Sequence, residues 1–309
     1  MNALGQTLPG LIDGYRNTAL IATAVRVGLF DALDDVPRSP RDVSGELQLD
    51  EGALTRFLRG LALLGLVQEH ADPGGGANRF TLLPLGRPLQ STADGPLGSY
   101  ARLAHEQFVP AWQSMEVALR GVGHPFEAAF GKKVWDYRRS NPGAGALFNA
   151  WLHRQSAAVA EELAGALAIP SRGRVADIGG GVGILLAAVL RRHAPCRGVL
   201  VEQPAVLPQA RTFLDAQGLM PRCELAATDF HVAVPPGCDC YLLKSVLHDW
   251  DDDACIGILR AVHAGTHAGS QVFVIERLLP ALASEDPEAV WLDLRIDRKS
   301  TRLNSSHRT

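Results

Sequence analysis

The sequence predicts an α/β protein in which a doubly wound parallel sheet follows a smaller helical unit. Hydrophobic residues make up 47% of its 309 residues and charged residues 20%, a composition typical of globular proteins. Apolar positions in residues 11–160 recur mainly at helical spacing, whereas from Arg172 onward short apolar runs alternate with helical patterns. This alternation is typical of βαβ units, which build parallel sheets.

Charge and cysteine content exclude several classes of protein. The net charge of −3 argues against a uniformly basic nucleic-acid-binding protein. The five cysteines are odd in number and lack the spacing of a zinc site, so we expect reduced thiols rather than a disulfide framework. No basic segment precedes an apolar run, and no apolar stretch is long enough to span a bilayer. We therefore expect a cytoplasmic protein without a membrane anchor.

The N-terminal unit is predicted to contain three helices followed by a hairpin. A helical stripe of apolar residues runs from Leu20 to Leu33 and ends at Pro37. Ser39 and Asp50 are in position to cap a second and a third helix. Two short strands, 66–69 and 79–82, flank a glycine-rich turn. Three helices and a hairpin form a winged-helix pattern, which often binds DNA. A DNA-binding regulator with a ligand-sensing α/β domain is therefore one alternative.

The third helix of this unit favours a different use of the pattern. Arg56 and Arg59 lie beside Asp50 and Glu51, so the helix is not uniformly basic. Its remaining surface is mostly apolar, which suits burial against another element or a second subunit. Because winged-helix units also serve as dimerisation modules, the pattern alone does not indicate DNA binding.

The C-terminal half is predicted to contain five strands with helices between them. The predicted strands are 173–178, 198–202, 223–227, 239–244 and 271–276, and the predicted helices are 184–192, 206–217 and 252–264. Ligands of doubly wound sheets bind outside the carboxyl ends of the strands. The polar residues at these ends are therefore the candidates for a functional site.

A glycine turn joins the first of these strands to its helix. Gly179 and Gly181 would let the backbone approach a ligand closely, next to the free N–H groups of a helix N-terminus. Asp177 precedes the turn and Glu202 ends the next strand, where a carboxylate can accept ribose hydroxyls. Two carboxylates would repel a pyrophosphate but suit a nucleoside that carries a positive charge. S-adenosylmethionine is such a ligand.

Two further positions suit a nucleoside and a proton transfer. Asp229 and Phe230 end the third strand, where a carboxylate could accept from an adenine amine while the ring packs on the base. His248 follows the fourth strand, and Glu276 ends its neighbour. Such a carboxylate can hold one imidazole nitrogen, so the other can accept a proton from a hydroxyl acceptor.

The aspartates after His248 invite a metal-site interpretation, but a simpler one is available. Asp249, Asp251, Asp252 and Asp253 could form a metal cluster, but Asp252 and Asp253 stand where they would cap and charge-match the start of the next helix. We therefore expect no metal ion. The remaining histidines with no partner pattern are interpreted as surface or structural residues: His231, His263 and His267.

These motifs resemble the plant-type small-molecule O-methyltransferase family, which has many bacterial members. The most specific element is the block Leu243–Trp250, followed by Asp177–Gly183 and Val274–Glu276. The resemblance covers about residues 11–296. It implies a Rossmann-like methyltransferase sheet with an N-terminal winged-helix-like dimerisation domain, S-adenosylmethionine as the cofactor, and a homodimer that binds neither nucleic acid nor membrane. A catalytically inactive relative is a further alternative.

The resemblance also implies roles for individual residues. His248 would be the general base and Glu276 its orienting partner, with a phenolic or other hydroxyl of a small aromatic or polyketide-type metabolite as the acceptor. The residues that would contact the donor are Gly179, Glu202, Asp229, Phe230, Lys244 and Ser156. Aromatic candidates for the acceptor wall are Phe108, Trp112, Phe126, Trp135, Phe148 and Trp151.

The predicted organisation has four parts. A dimerisation domain covers 1–95, a helical linker and substrate-pocket region 96–170, a donor-binding catalytic domain 171–296, and a non-native, adapter-like tail 297–309. Leu152 and Thr228 depart from the residues usual in the family, which leaves the acceptor shape open. The family continues beyond residue 296 with a second supporting carboxylate, a helix and two strands. We therefore expect this chain to be truncated and poorly stable or inactive.

Overall fold

The computed structural model describes residues 7–72, 74–92 and 97–296. The predicted tail, 297–309, lies outside the described residues. The chain divides into two compact units, residues 1–151 and 152–309. The four-part division predicted above stays a prediction.

The first unit is mostly helical. Its helices are α1 (Leu8–Ile12), α2 (Tyr15–Arg26), α3 (Pro40–Leu47), α4 (Glu51–Leu63), α5 (Gly98–Leu103), α6 (Val109–Gln113), α7 (Glu116–Leu119), α8 (Pro125–Phe130), α9 (Val134–Ser140) and α10 (Pro142–Ala157), which continues into the second unit. Strands β1 (Val67–His70) and β2 (Arg79–Leu82) form the antiparallel hairpin, with short helical turns at Arg87–Leu89 and Ala104–Phe108.

The predicted caps of this unit are confirmed. The Ser39 side chain accepts from the backbone N–H of Asp42 at the start of α3, and Asp50 accepts from Ala53 at the start of α4. The first predicted helix was too long: α2 ends at Arg26 because the chain turns at Gly28, which has a left-handed φ of 76°.

The second unit is an α/β sheet, as predicted. Its elements are α11 (Ala160–Ala166), β3 (Arg174–Ile178), α12 (Ile184–Arg192), β4 (Arg197–Glu202), α13 (Leu207–Ala216), β5 (Cys223–Ala227), β6 (Cys240–Lys244), α14 (Asp252–Gly265), β7 (Gln271–Ile275) and α15 (Pro287–Ile296). Short 3₁₀ turns occur at Met220–Arg222 and Leu247–Asp249. The strand order is β5-β4-β3-β6-β7, and every pairing is parallel.

Helices cover both faces of this sheet because alternate side chains of each strand point to opposite sides. Val175, Leu200 and Leu242 belong to the core under α11, α12 and α13. Adjacent residues of the same strands, such as Ala176 and Tyr241, belong to the core under α14. The order of the strands reverses at β3, so β3, β4 and β6 place their carboxyl ends around one crevice.

Candidate functional site

The glycine turn after β3 presents bare backbone at this crevice. Gly179, Gly181 and Gly183 all have left-handed φ values, of 64°, 60° and 89°. A Cβ atom at Gly179 would lie 3.2 Å from Cγ2 of Val246, whereas one at Gly181 would meet no described atom within 4 Å. The turn therefore keeps open space beside its backbone, as a closely approaching ligand requires.

Asp177 lies beneath this turn. Its residue is 1% exposed, and one carboxylate oxygen, Oδ2, is buried without a hydrogen-bond partner among the described residues. Burial raises the pKa of Asp177 to about 7, although the charge of Lys244 and a hydrogen bond from the backbone of Leu186 lower it. Asp177 therefore offers a ligand its charge rather than a direct contact.

Glu202 holds the turn from the end of β4. Its Oε2 accepts from the backbone N–H of Gly181 at 2.9 Å, and its Oε1 accepts from that of Gln203 at 2.8 Å. Burial raises the pKa of this carboxyl above its ordinary value. Each oxygen keeps a second lone pair, so Glu202 can still accept hydrogen bonds from a ligand.

His231 lies beside two predicted donor-site residues, and its interpretation as a surface or structural residue stays a prediction. Its Nδ1 lies 2.9 Å from Oδ1 of Asp229, and its ring stacks on Phe230 with 4.8 Å between ring centroids. Trp250 completes the cluster: its ring is nearly perpendicular to that of His231, with 4.2 Å between ring centroids. The hydrogen bonds from His231 lower the pKa of Asp229. The position directly after Asp229 and Phe230 was the signal that sequence reasoning missed.

Lys244 lies at the end of β6, where its charge interacts with the carboxyl groups of Asp177 and Glu276. Its Nζ donates to Oγ of Ser156, in the last turn of α10, at 3.2 Å. Burial lowers the pKa of Lys244, while the charges of Asp177 and Glu276 raise it. Ser156 and Lys244, predicted from distant parts of the chain, are thus brought into contact.

The His248 ring sits in the 3₁₀ turn after β6 and faces Glu276. Its Nδ1 lies 2.8 Å from Oε2 of Glu276. Its Nε2 lies 3.6 Å from Oδ1 of Asp249. The His248 and Glu276 side chains are 18% and 16% exposed, so the pair is largely shielded from water. The structure therefore brings together the predicted base and its predicted partner.

Backbone N–H groups fix the carboxylate of Glu276. Its Oε1 accepts from the N–H of Val246 at 3.1 Å and from that of His248 at 3.2 Å. Burial nevertheless raises the pKa of Glu276 to about 7. The turn that presents these N–H groups begins at Ser245, a non-glycine residue with a left-handed φ of 56°. Left-handed backbone of this kind is uncommon outside glycine and occurs often at functional sites.

The aspartates after His248 form a helix start. The cap of α14 is Asp251, whose side chain accepts from the N–H of Ala254 at 2.9 Å, so the predicted capping by Asp252 and Asp253 was wrong by one residue. Asp252 and Asp253 instead lie in the first turn.

Among the residues that the structure describes, no group of three or more His, Cys, Asp or Glu side chains is placed to hold a metal ion. Within the same ranges, no helix has the length and apolar character that crossing a bilayer requires.

Several predicted acceptor-wall residues gather in the first unit. Phe148 packs against Trp135 and Trp151 with 5.6 Å between ring centroids in each pair, and Trp151 meets Phe108 edge-on. The Arg138 guanidinium lies 3.4 Å from the centroid of the Phe148 ring. Phe126 packs on Phe130 and Tyr137, and Trp112 lies on α6. Whether these residues bind an acceptor stays a prediction.

Family models match both halves of the sequence. A model described as an O-methyltransferase domain matches residues 112–301, and one described as an O-methyltransferase dimerisation domain matches residues 10–92. These matches confirm the resemblance inferred from the motifs.

Individual relatives cover most of the chain. It is 34% identical to the O-demethylpuromycin-O-methyltransferase of Streptomyces alboniger, over 87% of this chain and 71% of the relative. It is 33% identical to the mitomycin biosynthesis 6-O-methyltransferase of Streptomyces lavendulae, over 90% of this chain and 78% of the relative. Both relatives methylate oxygen, according to their names.

Solved structures agree with this fold. The mitomycin 7-O-methyltransferase MmcR superposes with a TM-score of 0.85 at 31% identity, covering 95% of this chain and 85% of the other. CalO1, a methyltransferase in calicheamicin biosynthesis solved in its SAH-bound form, gives a TM-score of 0.68 at 30% identity over 96% of this chain and 88% of the other. The predicted Rossmann-like sheet with an N-terminal dimerisation domain is thus confirmed.

Proposed function

Because this chain belongs to the O-methyltransferase family, we propose that it transfers a methyl group to a hydroxyl of a small aromatic or polyketide-type metabolite, with His248 as the general base. The family uses S-adenosylmethionine, whose sulfonium supplies the methyl group. The observation that carries the proposal is the largely buried His248–Glu276 pair beside a glycine turn at the carboxyl end of the sheet.

The residues around the turn fit this donor. Gly179 and Gly181 leave room for close approach, and the Glu202 carboxylate keeps free lone pairs for ribose hydroxyls. Asp229 and Phe230 offer an acceptor and a ring to an adenine. Burial raises the pKa of Asp177 to about 7, and a cationic ligand, unlike a pyrophosphate, would favour its charged form. Lys244 and Ser156 complete the set of donor contacts that we propose.

His248 supplies the proton transfer. A phenol has an ordinary pKa of about 10 and is mostly protonated at neutral pH, so its oxygen is a weak nucleophile. Nε2 of His248 accepts the hydroxyl proton, while Glu276 at Nδ1 holds the ring and stabilises the imidazolium that forms. The Asp249 carboxylate, 3.6 Å from Nε2, adds further negative charge near that proton. Orientation of the acceptor oxygen toward the methyl carbon provides the rest of the rate.

The class of acceptor is supported by the relatives. They include enzymes named for O-demethylpuromycin, mitomycin and phenazine O-methylation. An aromatic wall such as the one around Phe148 suits an aromatic acceptor. We therefore propose an aromatic or polyketide-type secondary metabolite as the substrate.

The dimerisation-domain match supports a homodimer formed through the first unit. Large apolar side chains of this unit are exposed in the single chain, among them Leu8, Ile12, Tyr15 and Leu63. Light scattering after size exclusion should give a molar mass of twice that of one chain. The I12D variant should have a lower molar mass, close to that of a single chain. A monomeric parent protein would contradict the homodimer.

Titration calorimetry with S-adenosylmethionine and turnover of phenolic acceptors, starting with O-demethylpuromycin, test the proposed function. H248Q should keep the donor affinity within about twofold but lose about 10²- to 10⁴-fold in kcat, the usual contribution of a general base. H263Q is the matched control, because His263 is an exposed histidine of α14, and it should behave like the parent. A parent protein that binds no donor, or an H248Q variant with full kcat, would contradict the proposal.

A further inference from the structure

The His231 ring already makes the contacts that an adenine would need. Its Nδ1 lies 2.9 Å from Oδ1 of Asp229, and its plane stacks on Phe230 at an angle of 27°. The proposed function assigns this carboxylate and this ring to the adenine of the donor. The imidazole of His231 thus occupies the same two partners, Asp229 and Phe230, that the proposed function assigns to the adenine of the donor.

The cluster is also built so that the ring can leave it. Nε2 of His231 is buried and has no hydrogen-bond partner among the described residues, which is unfavourable for a polar atom. Turning the side chain outward would return Nε2 to water. The side chains of Asp229 and His231 are 66% and 29% exposed, so such a rotation does not require the core to open.

We propose that His231 competes with the adenine of the donor for Asp229 and Phe230, and that it thereby sets the donor affinity of this enzyme. The inference rests on the proposed function. Donor binding then includes the displacement of one side chain, and the apparent dissociation constant equals the intrinsic constant divided by the fraction of molecules in which the ring has left these contacts. Trp250, whose edge meets the His231 ring, becomes available to the ligand by the same movement.

Calorimetric titration with S-adenosylhomocysteine tests the competition. H231A removes both the hydrogen bond to Asp229 and the stack on Phe230, so it should bind about tenfold more tightly than the parent. H231F keeps a stacking ring but loses the hydrogen bond, and its affinity should lie between the two. H263A is the control for replacing a histidine, and it should match the parent.

Two further measurements separate competition from a general change in the site. Adenosine alone should show the same affinity ratio between H231A and the parent, because only the adenine contacts are involved. Stopped-flow measurement should show that H231A gains affinity through a faster association rate, since the His231 ring no longer has to leave before the ligand binds. Equal or weaker binding by H231A and H231F would overturn the inference and make His231 an ordinary supporting residue. Failure of the parent and every variant to bind S-adenosylhomocysteine would instead overturn the proposed function, and the inference with it.

Discussion

Replacing Glu276 by glutamine tests how much of the rate depends on one buried carboxylate. Its Oε1 accepts from the N–H groups of Val246 and His248, and its Oε2 lies 2.8 Å from Nδ1 of His248. Glutamine keeps a carbonyl oxygen for the two backbone groups. It places a neutral amide, without the negative charge, against the imidazole.

The size of the effect follows from the contact that is lost. A hydrogen bond to a charged partner contributes about 1.5–3 kcal/mol, and each 1.36 kcal/mol of barrier is tenfold in rate. E276Q should therefore lower kcat about 10- to 150-fold. Because the glutamine keeps the backbone contacts made by Oε1, the free energy of unfolding of E276Q should differ from that of the parent by no more than about 1 kcal/mol. E288Q, at an exposed glutamate in the first turn of α15, is the matched control.

The pH profile of kcat gives an independent readout. Burial raises the pKa of Glu276 to about 7, so the carboxylate loses its charge as the pH falls through neutrality. The acidic limb of the parent then contains two ionisations, of the carboxyl and of the imidazole, and its slope should approach about two. In E276Q only the imidazole remains, and the slope should be about one. An E276Q variant with the parent's kcat and the parent's slope would refute the role of Glu276.

Three other substitutions test the physical reasoning at single positions. Burial raises the pKa of Asp177 from 3.8 to about 7, so the folded state binds a proton that the unfolded state releases, and stability falls as the pH rises through this window. Between pH 5 and pH 8 the free energy of unfolding, measured in urea, should therefore decrease by roughly 3 kcal/mol more for the parent than for D177N. Equal decreases would contradict the raised pKa of Asp177. S245G should unfold at the parent's temperature or above it, whereas S245V should lose about 1–2 kcal/mol, because valine disfavours the left-handed φ of 56°; similar melting of the two variants would refute this strain. G180A should lose about 1–3 kcal/mol in urea unfolding, since its Cβ would lie 2.4 Å from Oδ2 of Asp177, whereas G45A, with no atom within 4 Å in α3, should not be destabilised.

Local features of the fold could be predicted because they depend on neighbours in the chain. The caps at Ser39 and Asp50 and the alternation of strands and helices after Arg172 all follow from short-range patterns. The cap at Asp251 was placed one residue too late because several consecutive aspartates fit a cap equally well by sequence. The early end of α2 at Gly28 was missed because the apolar stripe continues past it.

The candidate site likewise contains residues that local patterns predicted and one residue whose contacts they missed. The identity of its residues followed from their positions at the ends of strands, since parallel strands bring those ends together. The contacts of His231 were missed: Asp229 and Phe230 are its neighbours in the chain, whereas only the fold brings Trp250 against its ring.

By itself the sequence determined which residues lie at the carboxyl end of the sheet and in what order: Gly179, Glu202, Asp229, Lys244, His248 and Glu276. Only the tertiary structure decided that burial raises the pKa values of Asp177 and Glu276 to about 7, and that the charge of Lys244 acts on both. The physical reason is that strand position depends on local pattern, whereas the free energy of a charge depends on how much water the whole fold removes from around it.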